Sequence, residues 1–111
     1  MAQITYFHSY NKDYESMTAQ VESSVIKQIT WSAKGDKSVL SVHFNNGGVY
    51  IYKGVDRFTF SNLLQSESVG KKFNETVRNA YEYVNVTDEP FRHYQLVCME
   101  IDFPLATEVG I

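Results

Sequence analysis

Three strand-like runs joined by two short turns occupy the middle of the chain and constrain its fold more than any other feature. The runs cover residues 25–32, 38–44 and 49–53. The turns cover residues 33–37 and 45–48, and both contain glycine. The pair Asn46-Gly47 tolerates the positive φ angles of a type I′ turn, which predicts a tight hairpin. Consecutive strands with short connections form an antiparallel meander.

The third run is apolar on both of its faces. Tyr50 and Tyr52 lie on one face, because side chains alternate along a strand. Val49 and Ile51 lie on the other face. Each face therefore needs cover. We expect helices on one side and, on the other, either the C-terminal segment or a second subunit.

After Gly54 the spacing of apolar residues changes to that of a helix. The first helical pattern contains Phe60, Leu63 and Leu64, with Asp56 as its N-cap. The second and longer pattern contains Val69, Phe73, Val77, Ala80 and Tyr81. Either Ser66 or Ser68 can cap the second helix, because a serine oxygen accepts a hydrogen bond from an unpaired backbone N–H of the first turn.

Two flanking segments complete the predicted architecture. Residues 4–10 predict a strand, and residues 11–23 a loop or a short helix. Residues 93–103 alternate between apolar and polar positions, which predicts a C-terminal strand that ends at Pro104. The predicted fold class is α+β. It has an antiparallel sheet of four or five strands, built from the meander and the C-terminal strand, and two helices packed on one face.

Charge and composition argue against several classes of function. The net charge is -3 and the pI is about 5.5, which argues against electrostatic binding to duplex nucleic acid. No run approaches the roughly 20 apolar residues of a membrane span, and the N-terminus lacks a signal-peptide pattern. Cys98, the only cysteine, lies in an apolar run, so we expect a buried side chain and a reducing, cytoplasmic location. The three histidines lack metal-ligand spacing, so we expect no metal and no cofactor.

Small and basic residues at the start of the second helix form a candidate phosphate site. They are Ser66, Ser68, Gly70, Lys71 and Lys72. Unpaired N–H groups and the helix dipole favour an anion at a helix N-terminus. Asn74 and Arg78 lie one turn apart on the same helix, and arginine suits bidentate phosphate recognition. The alternatives are a serine-capped helix with solvated lysines, and a surface ion pair of Arg78 with Glu75 or Glu82.

Tyr50 and Tyr52 are candidate base-stacking residues. Exposed aromatic side chains on a sheet stack nucleobases with little sequence preference. The alternative is that at least one of the two packs beneath the helices, with its hydroxyl group reaching water or a polar partner. If these tyrosines bind a base, we expect its phosphate at the helix start formed by Ser68, Gly70 and Lys71.

The order of the central motifs is similar to that of a known family. F-x-x-G-x-x-Y-x-Y, a leucine pair, S-x-G-K-x-F-N, an arginine and a tyrosine are here Phe44, Gly47, Tyr50, Tyr52, Leu63, Leu64, Ser68, Gly70, Lys71, Phe73, Asn74, Arg78 and Tyr81. This order resembles the KTSC domain, which is named for the C-terminus of some lysyl-tRNA synthetases and also occurs alone in bacteria and phages. Trp31 stands where a tyrosine is common. The resemblance implies an N-terminal extension (1–23), a KTSC-like domain (24–83), and a C-terminal strand and tail (84–111) of the same globular unit.

The resemblance implies a binding role, since RNA binding has been proposed for this family. The acidic charge and small size favour a compact ligand. We therefore expect a non-enzymatic protein, with no catalytic residues, that binds a nucleotide or a cyclic dinucleotide. In a phage, such a homo-oligomer would act in the host cytoplasm as a sponge for the cyclic nucleotide signals of CBASS defence. The alternatives are a module for single-stranded RNA or tRNA and a structural oligomerisation protein.

Overall fold

The structure is a computed structural model that describes residues 2–8 and 14–101 of the chain. Its elements are β1 (Ala2–His8), β2 (Tyr14–Val21), β3 (Ile26–Lys34), β4 (Lys37–Phe44), β5 (Val49–Lys53), α1 (Arg57–Gln65), α2 (Val69–Thr76), β6 (Tyr83–Asn85) and α3 (Pro90–Glu100). The strands form one antiparallel sheet in sequence order, with α1 and α2 inserted between β5 and β6. The predicted α+β class is confirmed, although the described residues contain six strands and three helices.

The larger core lies between the sheet and the first two helices. It contains Ile29, Trp31, Leu40, Val42 and Tyr52 from the strands and Phe60, Leu63, Val69, Phe73 and Val77 from the helical region. Trp31 stacks on Phe60 with ring centroids 6.0 Å apart. Its Nε1–H donates to the carbonyl oxygen of Val55 at 2.7 Å. This hydrogen bond fixes the corner between β5 and α1.

A smaller core lies between the opposite face of the sheet and α3. It contains Val39, Ile51, Val86 and Ile101, with Val49, Val84, Leu96 and Val97 packed around them. Tyr50 and Tyr52 therefore face α1 and α2, whereas Val49 and Ile51 face α3. Of the two covers expected for this second face, the C-terminal segment or a second subunit, the structure shows the C-terminal segment.

The covering segment is a helix, so the prediction of a strand at residues 93–103 is wrong over its described part. Pro90–Glu100 forms α3, which begins with its proline, where no helical N–H is needed. Val97, Met99 and Ile101 alternate like a strand, but Val97 and Ile101 are also one helical turn apart. Met99 is 61% exposed, whereas Ile101 is 1% exposed. The helical spacing therefore decides which side chains are buried.

The N-terminal segment also differs from its prediction. Tyr14–Val21 forms strand β2 instead of a loop or a short helix. Met17 and Ala19 alternate into the larger core, and Thr18 on the other face meets Thr30 at 3.0 Å between hydroxyl oxygens. The predicted first strand corresponds to β1 as far as the chain is described, whereas residues 9–13 and 102–111, with the predicted stop at Pro104, lie outside the described residues.

The turn between β4 and β5 is not the predicted type I′ turn. Phe44 N–H donates to Gly48 O at 2.8 Å, and Gly47 N–H donates to Phe44 O at 3.0 Å. Within this turn only Gly47 has a positive φ, of 96°. A type I′ turn needs positive φ at both central residues. The hairpin therefore has a three-residue loop that ends in a left-handed glycine.

The helix caps follow the sequence, but the second helix is shorter than its pattern. Asp56 Oδ1 accepts from Thr59 N–H at 2.7 Å at the start of α1. Ser68 Oγ accepts from Lys71 N–H at 3.3 Å at the start of α2. The apolar pattern extends to Tyr81, whereas α2 ends at residue 76.

Candidate functional site

Three tyrosines form a row on the paired strands β5 and β6. Tyr50 and Tyr52 come from β5, and Tyr83 of β6 pairs with Tyr52 in the strand register. The ring centroid of Tyr83 lies 5.1 Å from that of Tyr50, with the ring planes 12° apart. Phe44 meets Tyr50 edge-on at 5.3 Å, and Phe73 of α2 meets Tyr52 edge-on at 5.3 Å. These five side chains form one continuous aromatic cluster.

The three tyrosines differ in their exposure. Tyr52 is 2% exposed, Tyr83 is 52% exposed, and Tyr50 is half-buried. The ring of Tyr52 is therefore too buried for the base-stacking role expected from the sequence, and it supports the other two rings instead. Burial raises the pKa of Tyr52 to about 12, and the neighbouring Tyr83 adds to the shift. The Tyr52 hydroxyl therefore stays protonated and uncharged at neutral pH.

The aromatic cluster lines a cavity of about 530 Å³, which we call the aromatic cavity. Its lining residues are Val25, Phe44, Asn46, Gly48, Tyr50, Tyr52, Phe73, Asn74, Arg78 and Thr87. Arg78 is the only charged residue among them. Its positive charge acts on the Tyr52 hydroxyl and opposes the rise in that pKa. The cavity therefore combines aromatic walls with one cation.

The amide side chains of the aromatic cavity present hydrogen-bond donors. Arg78 Nη1 donates a long hydrogen bond of 3.4 Å to Asn74 Oδ1. Asn46 Oδ1 accepts from Gly48 N–H at 2.9 Å. In both asparagines the carbonyl oxygen is engaged, so the NH₂ groups and the guanidinium remain as donors. Donors without a carboxylate suit a ligand that is rich in acceptors or negatively charged.

Gly48 keeps one part of the aromatic cavity open. A Cβ atom at this position would lie 3.1 Å from Asn46 Oδ1, 3.6 Å from the Tyr50 ring and 3.8 Å from the Phe44 ring. A side chain at Gly48 would therefore occupy the space between the turn and the aromatic rings.

The predicted phosphate site at the start of α2 lies beside the aromatic cavity and is separate from it. A second cavity, of about 420 Å³, is lined by Glu22, Ser23, Ser24, Val25, Glu67, Ser68, Val69, Gly70, Lys71 and Asn74. We call it the helix-start cavity. Val25 and Asn74 line both cavities. Two carboxylates, Glu22 and Glu67, belong to the helix-start cavity, and their negative charge opposes an anion there.

Two of the remaining predicted residues, Gly70 and Ser66, have identifiable structural roles. Gly70 is buried, and a Cβ atom there would lie 3.1 Å from Ser23 Oγ, so glycine permits the close approach of this segment. Ser66 caps the end of α1, since its Oγ donates to Leu63 O at 2.8 Å. Ser66 and Lys72 line neither of the two cavities.

A comparison with known families assigns the chain. The model of the KTSC domain matches residues 22–81, which are 60 of the 111 residues. The chain belongs to the KTSC domain family. A search of curated proteins gave no match. The KTSC match contains Tyr50 and Arg78, whereas Tyr83 and Thr87 lie beyond its end.

Sequence reasoning misses six of the ten residues that line the aromatic cavity of this KTSC domain. The missed residues are Val25, Phe44, Asn46, Gly48, Phe73 and Thr87. Phe44 and Phe73 already stand in the KTSC motif, so their aromatic character was an available signal. Asn46 and Gly48 read only as turn residues. Thr87 carries no sequence signal, because its place depends on how β6 joins the sheet.

Other classes of site are not supported in the part of the KTSC chain that the structure describes. Across residues 2–8 and 14–101, no group of three or more metal-ligating side chains is placed to hold an ion. Among the helices of that part, none combines the length and apolarity needed to cross a membrane.

On the α3 face, the His93 and His43 rings lie 5.7 Å apart. His93 Nε2 also hydrogen-bonds Ser41 Oγ at 2.9 Å, which joins α3 to the sheet.

Proposed function

We propose that this KTSC protein binds nucleotides without converting them. In this proposal the base lies in the aromatic cavity and a phosphate lies at Arg78. The observation that carries the proposal is the lining of that cavity, which joins aromatic rings to a single arginine and contains no carboxylate. A volume of about 530 Å³ also lies within the range of small-molecule sites, roughly 300–1,000 Å³.

Tyr50 is the residue that would carry the base. Its half-buried ring stacks with the Tyr83 ring of the neighbouring strand β6. It also packs against the Phe44 ring in an edge-on arrangement. A ring that is already fixed loses little conformational entropy when a ligand binds. Stacking a base on an aromatic side chain contributes about 1–3 kcal/mol.

Arg78 is the residue that would carry the phosphate. Its side chain is exposed, and it forms no salt bridge with any described residue, so the expected alternative of an ion pair with Glu75 or Glu82 is not formed. The long hydrogen bond to Asn74 orients the guanidinium while leaving its other N–H groups for a ligand. Hydrogen bonds between arginine and a phosphate oxygen are charge-assisted and about twice as strong as neutral ones.

The proposal extends to a cyclic dinucleotide, in the role of a sponge for immune signals that the sequence resemblance suggested. The helix-start cavity adjoins the aromatic cavity through Val25 and Asn74. A ligand with two nucleotide units is large enough to reach from one cavity into the other. The amino group of Lys71 would then approach its second phosphate and offset part of the opposing charge of Glu22 and Glu67.

Calorimetric titration with mononucleotides and cyclic dinucleotides tests the proposal. We expect binding that Arg78→Ala weakens by about tenfold or more, because one charge-assisted hydrogen-bonding group is lost. Arg92→Ala is the matched control, since Arg92 lies on α3 and pairs with Glu89 at 3.4 Å. Lys71→Ala should weaken the binding of cyclic dinucleotides only and leave the binding of mononucleotides unchanged. Absence of binding to any nucleotide, with no absorbance at 260 nm from material that copurifies with the protein, would overturn the proposal.

The same titrations distinguish nucleotide binding from the alternative function, binding of single-stranded RNA. Binding to RNA through several phosphates weakens steeply with salt. A short oligonucleotide that binds far more tightly than any nucleotide, with such a salt dependence, would favour the RNA module instead.

A further inference from the structure

We infer that Asn46 selects the base in the aromatic cavity, favouring guanine or uracil, which present O6 or O4, over adenine or cytosine, which present an amino group at the same position. This inference rests on the proposed function and deepens it. Asn46 lies in the turn between β4 and β5 and lines the same cavity as Tyr50. It is therefore close to the edge of a base that stacks on that ring.

The turn fixes which end of the Asn46 amide is available. Its Oδ1 accepts the backbone N–H of Gly48 at 2.9 Å. Only the oxygen of an amide accepts from an N–H donor, so this hydrogen bond sets the orientation of the group. The Nδ2 atom donates to no residue in the part of the chain that the structure describes, and the side chain is exposed. Asn46 thus offers the cavity two N–H donors.

The distances around Gly48 place this amide beside the stacking ring. A Cβ atom built on Gly48 would lie 3.1 Å from Asn46 Oδ1 and 3.6 Å from Tyr50 Cε1. The Asn46 amide and the edge of the Tyr50 ring thus lie on either side of the space that a Gly48 side chain would occupy. A base stacked on Tyr50 presents its edge to this amide.

An amide that has only its donors free reads bases differently from one with both ends free. Asparagine usually reads adenine with its oxygen and its nitrogen together, on N6 and N7. Here the oxygen is already engaged, so that two-point contact is weakened. A free N–H donor matches O6 of guanine or O4 of uracil, whereas adenine and cytosine present an amino donor at the corresponding position. The Oδ1 of Asn74 is also engaged, since it accepts from Arg78 Nη1.

Dissociation constants of GMP, UMP, AMP and CMP test this inference on the full chain. We expect GMP and UMP to bind about tenfold more tightly than AMP and CMP, the scale of one base-edge contact. Asn46→Asp keeps an oxygen that accepts from Gly48 N–H but replaces the donors by a second acceptor. We expect the preference for GMP over AMP, measured as the ratio of their dissociation constants, to disappear or to reverse in this variant.

Asn62→Asp provides the matched control, because Asn62 is on α1 and does not line the cavity. It adds the same charge, so a general electrostatic effect on phosphate binding appears in both variants and cancels in the ratio. Equal affinities for the four nucleotides in the wild type, or the same ratio in Asn46→Asp, would overturn the inference and leave the proposed function standing. If none of the four binds, the inference falls together with the proposed function.

Discussion

Replacing Gly48 by alanine tests directly whether the aromatic cavity is the ligand site. Gly48 does not have a left-handed φ, so alanine is compatible with its backbone. The added methyl carbon would lie 3.1 Å from Asn46 Oδ1, 3.6 Å from the Tyr50 ring and 3.8 Å from the Phe44 ring. The first contact requires the exposed Asn46 side chain to move by a few tenths of an ångström, and the other two are ordinary van der Waals contacts.

The expected magnitudes separate an effect on binding from an effect on folding. A compatible Gly→Ala change stabilises a protein by about 0.4–1 kcal/mol through the unfolded chain, and the crowded contact with Asn46 offsets part of this. We therefore expect the free energy of unfolding to change by less than about 1 kcal/mol. A base prevented from stacking on Tyr50 loses about 1–3 kcal/mol, so its dissociation constant should rise by roughly 5-fold to 150-fold.

Calorimetric titration and urea unfolding of the same preparations measure the two quantities, and Gly70→Ala is the control. Its methyl group would meet Ser23 Oγ at 3.1 Å and the Val25 side chain at 3.8 Å, so the crowding is similar but lies at the helix-start cavity. A mononucleotide that binds normally to Gly48→Ala and weakly to Gly70→Ala would show that the ligand lies at the start of α2. That result would refute the placement of the base on Tyr50.

Two further predictions concern the α3 face of the sheet. Ile101→Ala should lower the free energy of unfolding by about 2–5 kcal/mol, because Ile101 is 1% exposed in the smaller core; urea unfolding measures this, and a loss under 1 kcal/mol would show that α3 contributes little to stability. Burial, with a smaller contribution from Lys27, lowers the pKa of His43, and burial, with a smaller contribution from His43, lowers that of His93. The folded state therefore binds fewer protons than the unfolded state, so stability is complete above the unfolded pKa of about 6.5 and falls as the pH drops through the lowered folded values. Urea midpoints at pH 7.5 and pH 5 should show this loss, and the loss should shrink in His93→Gln; an unchanged pH dependence in that variant would contradict the role of His93.

The central meander was predictable because its sequence pattern indicates strands only. The patterns of the flanking elements fit both a strand and a helix. In β2, Met17 and Ala19 enter the core with the period of a strand. Both residue types favour helices in isolation, as does Glu15, so propensity conceals the alternation. In α3, Val97 and Ile101 fit the period of either element. Packing against the sheet resolves both cases, and a single sequence does not contain that information.

The candidate site was predictable in its composition but not in its grouping. The sequence singles out Tyr50, Tyr52 and Arg78, and the structure brings all three to the aromatic cavity. It also links the tyrosines to Ser68 and Lys71, which the structure places around the neighbouring cavity. The grouping depends on how α2 crosses the sheet. Its start lies against the segment that precedes β3, whereas Phe73 packs edge-on against Tyr52.

The cover of β5 also bears on whether the protein needs a partner. The apolar face of Val49 and Ile51 was one reason to expect a second subunit, and α3 of the same chain covers that face. The large hydrophobic side chains that remain most exposed include Phe58 on α1 and Phe91 and Met99 on α3. They lie on two helices and are not among the residues that line the aromatic cavity. The side chains proposed to contact the base and the phosphate, Tyr50 and Arg78, line one cavity of the same chain. Its affinity for a mononucleotide should therefore not depend on protein concentration.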